Sequence, residues 1–177
     1  MPSSRLRHGT TPLPVVIGLG NEHRGDDAVG LWVARRLGPR LAGAGRVLEL
    51  SSEGTRLLDL WDGLDLVIVV DAVAAHGPPG TIYRIVVEDG PLPSTTGGTS
   101  THGVSLAEAV ALGRALGRLP RRLVLYGVAG SRFEVGGAMT PDVNAAIDRV
   151  AAAIEGEIRV ESKGGPPTSS PEGAARA

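Results

Sequence analysis

The sequence predicts an α/β fold: a single three-layer domain in which a mostly parallel, twisted sheet is flanked by helices. Two apolar runs, Leu13–Ile17 and Leu66–Val70, are nearly unbroken by polar residues, as expected of parallel strands covered on both faces. Stretches with apolar residues at three- and four-residue intervals alternate with the strand-like runs, which is the order that strand–helix–strand units produce. The chain has 177 residues, enough for one core at roughly 100–200 residues per domain.

Taken in order, residues 1–12 carry Ser3, Ser4, Arg5, Arg7 and His8 and read as a flexible leader. The domain proper spans 13–160. Its first strand, Leu13–Ile17, bends through Gly18-Leu19-Gly20-Asn21 into a helix from Asp26 to Leu37, which Gly38-Pro39 stops. Arg46–Leu50 is a second strand, and the short helix after it carries Leu57, Leu58, Leu60 and Trp61 on its apolar side. Leu64–Asp71 is the strongest strand signal, and only a central position would cover both of its faces. Thr81–Val87 partly alternates polar and apolar residues, the pattern of a strand near a sheet edge, and is expected to pair antiparallel to its predecessor. The Gly-, Pro-, Ser- and Thr-rich segment 88–101 is longer than an ordinary connection, which marks it as mobile or functional. It leads to His102, behind which Val104, Leu106, Ala107, Val110, Ala111 and Leu112 form an apolar helical face. Arg122–Val128 is the last strand. Thr140-Pro141-Asp142 then opens a helix with a hydroxyl cap, a proline at the first position and an acid in the first turn. Val143, Ala146, Ile147, Val150 and Ile154 are its buried stripe, and the aperiodic 161–177 reads as a disordered tail.

Composition narrows the chemistry. A net charge of −1 at pH 7 leaves no electrostatic footprint for nucleic acid. With no cysteine, thiolate nucleophiles, disulfides and cysteine metal sites are all excluded, so any metal meets nitrogen and oxygen donors. Neither a signal peptide nor a membrane-length apolar stretch is visible, and the chain reads as cytoplasmic.

Three places attract a functional reading. Asp26 and Asp27 follow the first strand, where the loops of α/β sheets carry ligands and chemistry; the alternative is that one of them caps the next helix, although two adjacent acids exceed what one cap requires. Asp71 ends the central strand on the same sheet edge, or else simply forms a turn. His102 sits at or near a helix start, where the dipole lowers its basicity and suits it to metal coordination, whereas His8, His23 and His76 read as surface residues. The common hydrolase signatures, a Gly-x-Ser-x-Gly elbow and a His-Glu-x-x-His helix, are missing.

Gly18-Leu19-Gly20-Asn21 with Asp26-Asp27-x-x-Gly30, the strand ending Asp71-Ala72, Ser100-x-His102, and Gly127-Val128 ahead of Thr140-Pro141 together resemble the hydrogenase maturation endopeptidases. These aspartyl-type proteases trim the C-terminus of the nickel–iron hydrogenase large subunit. The resemblance implies removal of the C-terminal extension of a large-subunit precursor after nickel insertion, by a monomer with no tightly bound cofactor. It also implies that Asp27, Asp71 and His102 recognise nickel presented by the substrate, with Asp27 or Asp26 available as general base. Ala28 stands where the family usually has glycine. Two rivals share the glycine bend. A peptidyl-tRNA hydrolase would continue with Pro-Gly and a Thr-Arg-His-Asn stretch, and a nonenzymatic nucleotide-binding module would supply a third glycine; this chain has none of these.

Overall fold

The computed structural model describes residues 12–51, 55–74, 77–87 and 105–162. The expected leader and tail lie almost wholly outside these residues, as do segment 88–101 and His102. Five strands form one sheet: β1 (Val15–Leu19), β2 (Arg46–Leu50), β3 (Leu66–Val73), β4 (Ile82–Val87) and β5 (Arg122–Ala129). Their order is β2-β1-β3-β5-β4. The pairs β1·β2, β1·β3 and β3·β5 are parallel, and β4 runs antiparallel to β5.

Helices cover both faces, so the sheet is the middle of three layers. On one side α1 (Val29–Leu37) and α4 (Pro141–Ser162) bury Val33, Leu37, Ile147, Val150 and Ile154 against Val16, Ile68, Val70 and Val124. On the other, α2 (Thr55–Trp61) and α3 (Leu106–Ala115) bury Leu57, Trp61, Ala109 and Val110 against Ile17, Val67, Val69 and Leu125. Successive residues of β3 alternate between the two cores, as the period of two in a strand requires. The stripe expected on the last helix is buried at every named position. Arg84, Tyr126 and Glu157 fasten that helix to the sheet: the Tyr126 hydroxyl donates to Glu157 at 2.5 Å, and the Arg84 guanidinium binds both carboxylate oxygens at 2.6 and 3.0 Å. Among the described residues no helix is long and apolar enough to cross a membrane.

The structure revises the sequence expectations at four points. β1 lies two residues later than expected, because Gly18 and Leu19 continue the ladder by pairing with Glu49 and Leu50. The first helix begins as a 3-10 turn, Gly25–Ala28, before α1, and neither Asp26 nor Asp27 caps it by a side-chain bond. β4 pairs with β5 rather than with its predecessor β3. The turn at Gly80 carries the chain past the end of β5, where Gly80 N–H donates to the Ala129 carbonyl and Ala129 N–H to that of Thr81. The physical reason is burial: almost all of β5 is buried and belongs beside β3, whereas the half-exposed β4 suits an edge. Finally, α3 starts at a Ser105 cap, and Val104 lies outside the described residues.

Candidate active site

The strand order reverses between β1 and β3: β2 lies on one side of β1, and the remaining strands lie on the other. Such a reversal opens a crevice at the carboxyl ends of the two strands. Asp27 follows β1 and Asp71 lies near the end of β3, so the two carboxylates flank this crevice. Asp71 is inside its strand, opposite Gly127 of β5, and does not form a turn.

Small residues set this geometry. A Cβ on Gly30 would fall inside contact distance of the Leu19 and Val70 carbonyl oxygens, so only glycine lets α1 approach the ends of β1 and β3. Gly20 has φ of +144°, and a Cβ there would collide with the Asp27 carbonyl. Asn21 shapes the loop between them by accepting the His23 N–H on Oδ1 at 3.0 Å, while its carbonyl accepts from Arg24 N–H at 3.1 Å.

The adjacent acids have opposite environments. Asp26 is fully buried, and its carboxylate accepts three backbone N–H groups, from Ser131 at 2.8 Å, Arg132 at 2.9 Å and Thr140 at 2.6 Å. Burial alone would raise its proton affinity; the amides of Thr140, Ser131 and Arg132 outweigh it and hold the carboxyl below the ordinary range. With its oxygens engaged and no exposure, Asp26 is withdrawn from the catalytic pair considered for it. Asp27 is partly exposed, and burial pushes its carboxyl up against the lowering influence of Arg24 and of the Asn21 amide.

Asp71 is perturbed furthest. Burial and the negative charge of Asp27 raise it to about 7, offset in part by the Ala72 N–H, which donates to Asp71 Oδ1 at 2.9 Å. A carboxyl raised to about 7 by burial and by a second carboxylate beside it is a candidate acid–base group, and the pair is a place for a cation. From Asp71 a groove runs toward β4, lined by Val73, Leu125, Gly127, Tyr83, Ile85 and the first residue of α3, Leu106. Ser105 Oγ accepts the Glu108 N–H, and Glu108 returns a bond to the Ser105 N–H at 2.7 Å, fixing α3 at the groove wall. Among the described residues no three His, Asp or Glu side chains converge as a metal site, and His102 lies outside those residues. His23 is exposed, as expected.

Sequence reasoning missed Arg24, the groove wall and the role of Asp26. The Ser105-x-x-Glu108 capping box was a legible signal for the start of α3. The partners of Asp26 are 105 to 114 residues away and had no local signal.

Residues 33–157 match the family model described as hydrogenase maturation protease. That match contains Asp71 and begins after Asp27. The chain is 32% identical over 149 residues to the hydrogenase expression/formation protein HupD of Thiocapsa roseopersicina, an alignment that covers 81% of this chain and 65% of that protein. It is 30% identical over 148 residues to the hydrogenase 2 maturation protease of Escherichia coli strain K12, covering 79% of this chain and 89% of that one. The solved hydrogenase maturating endopeptidase HybD from E. coli superposes with a TM-score of 0.70 at 26% identity, over 84% of this chain and 93% of the other.

Proposed function

This chain belongs to the hydrogenase maturation protease family, and from that premise we propose that it is an endopeptidase that removes the C-terminal extension of a nickel–iron hydrogenase large-subunit precursor after nickel insertion. Both rivals raised by the glycine bend fall with that membership. The observation supporting this reading is the pairing of Asp27 and Asp71 across the switch point, where each carboxyl is raised above its ordinary value. A divalent cation relieves the desolvation and mutual repulsion of such a pair. The nickel is part of the substrate, held by the precursor, and this chain contributes oxygen donors and the imidazole of His102. Chain length is consistent with that role: His102 is four residues before Leu106, which shares the groove with Asp71, a reach of about 14 Å at most.

Two carboxylates and one imidazole leave coordination positions to the precursor's own ligands. Only a loaded precursor then docks with its scissile bond beside Asp27, and this positioning supplies much of the rate and the selectivity. Asp27 is the general base in this scheme. Its helix-start position favours the charged form, whereas burial raises its proton affinity in the free protein. The proton taken from water passes to the leaving amine, giving a new carboxylate and a new amino terminus. The chain acts in this scheme as a cytoplasmic monomer that binds no nucleic acid. Asp71→Asn and His102→Ala are both expected to stop processing of the nickel-loaded precursor. Wild-type rates in both variants would overturn the nickel-reading role.

A further inference from the structure

Residues 130–139, between β5 and α4, form an irregular arm beside the carboxylate pair. The loop after β1 holds it along its length. Besides the three amides on the Asp26 carboxylate, Asp26 N–H donates to the Arg132 carbonyl at 2.8 Å, Arg24 Nε to that of Phe133 at 3.0 Å, and Gly136 N–H to that of His23 at 2.7 Å. An arm of this length would otherwise sample many conformations; here the fully buried Asp26 carboxylate and the bonds with the Asp26 N–H, Arg24 and His23 fix it.

The fixed surface is open on its outer side. Ser131, Arg132, Glu134, Val135 and Ala138 are exposed, and Val135 is 81% exposed, against 42–55% for the other exposed large apolar side chains among the described residues. Holding an apolar side chain rigidly in water contributes nothing to the core. It does lower the ordering cost when a partner covers it.

We propose that arm 130–139 is a preformed docking rim for the folded body of the precursor, and that Asp26 is the positioning residue that fixes this rim against Asp27. Continuity identifies the occupant: Asp26 joins the rim to the residue beside it in the chain, Asp27, so a protein presenting a bond to Asp27 and Asp71 meets the rim next to it. The inference rests on the endopeptidase reading and assigns the protein contact of that site.

The test is steady-state processing of a nickel-loaded precursor by full-length wild type, Val135→Asp and Leu116→Asp, with the mass of each enzyme in solution measured alongside. Leu116 is an equally apolar, 55% exposed residue at the end of α3, and its substitution is the control. Val135→Asp is expected to raise KM at least tenfold, with the rate at saturating precursor within twofold, while Leu116→Asp changes neither. Asp26→Asn is expected to raise KM too, and Val135→Asp added to it raises KM less than it does alone, because Asp26 acts through the arm. A general loss of stability would instead give independent effects. Unchanged KM for Val135→Asp beside an active wild type overturns the rim and leaves the endopeptidase reading intact. The same holds if that variant changes only self-association, which would make a second copy the occupant. A wild type that cleaves no nickel-loaded precursor overturns both readings.

Discussion

Replacing Asp71 by Asn is expected to stabilise the fold while abolishing its function, and the two effects have one origin. In the folded chain burial and the charge of Asp27 raise Asp71 from its ordinary 3.8 to about 7. At about 1.4 kcal/mol for each tenfold change in proton affinity, this corresponds to a ceiling of about 4 kcal/mol. Because Asp71 is partly exposed, solvent screening reduces the expectation to about 2 kcal/mol. The sign follows from where the proton sits. Below pH 3.8 the group is neutral in both states and costs nothing. Between 3.8 and about 7 the unfolded chain ionises while the folded chain keeps its proton, so wild-type stability declines relative to the Asp71→Asn variant. Above about 7 the difference is constant and at its largest. The asparagine keeps an oxygen for the Ala72 N–H and removes the charge facing Asp27. Urea unfolding of both proteins at pH 4, 5.5, 7 and 8.5 measures this, and at about 2–4 °C per kcal/mol the variant should melt roughly 4–8 °C higher at pH 8.5. A variant no more stable than wild type at pH 8.5, or a gap that does not shrink toward pH 4, would show that Asp71 is not raised in the folded chain.

Asp26→Asn has the opposite sign: it should destabilise the fold by about 2–4 kcal/mol at pH 7, because the buried amides lose a charged acceptor. The wild-type advantage holds above the ordinary 3.8 and fades as pH falls through the lower folded value, so urea titrations at pH 7 and pH 3 should differ. Gly30→Ala places a methyl group against the Leu19 and Val70 carbonyls, and thermal melts should show a loss of about 3 kcal/mol. Ser105→Ala removes the capping box of α3 and should cost about 1 kcal/mol, read from the denaturation midpoint.

Burial patterns made most of the fold legible. The β-branched run of β3 required cover on both faces, and the mixed pattern of Thr81–Val87 marked an edge; both strands lie where those patterns put them. Which neighbour β4 would choose was not encoded locally, because the competition was settled by the more deeply buried β5, some 40 residues further on. Asp27 and Asp71 were legible as site candidates because acids following buried strands gather on one sheet edge. Asp26 was read with Asp27 because adjacency in sequence says nothing about burial. The 3-10 turn buries one acid and leaves its neighbour partly exposed, and the partners that engage Asp26 come from the segment between β5 and α4. Ser105 illustrates the reverse case, a local signal sufficient to set a boundary that the apolar face alone placed too early.

The proposed function has this protein cut a precursor only when the precursor carries nickel. Its most direct test is the mass of the large subunit after incubation of the purified protein with cognate precursor in nickel-loaded and nickel-free forms. Loss of the C-terminal extension from the loaded form alone is expected; equal cleavage of both forms, or of neither, would overturn the proposed function.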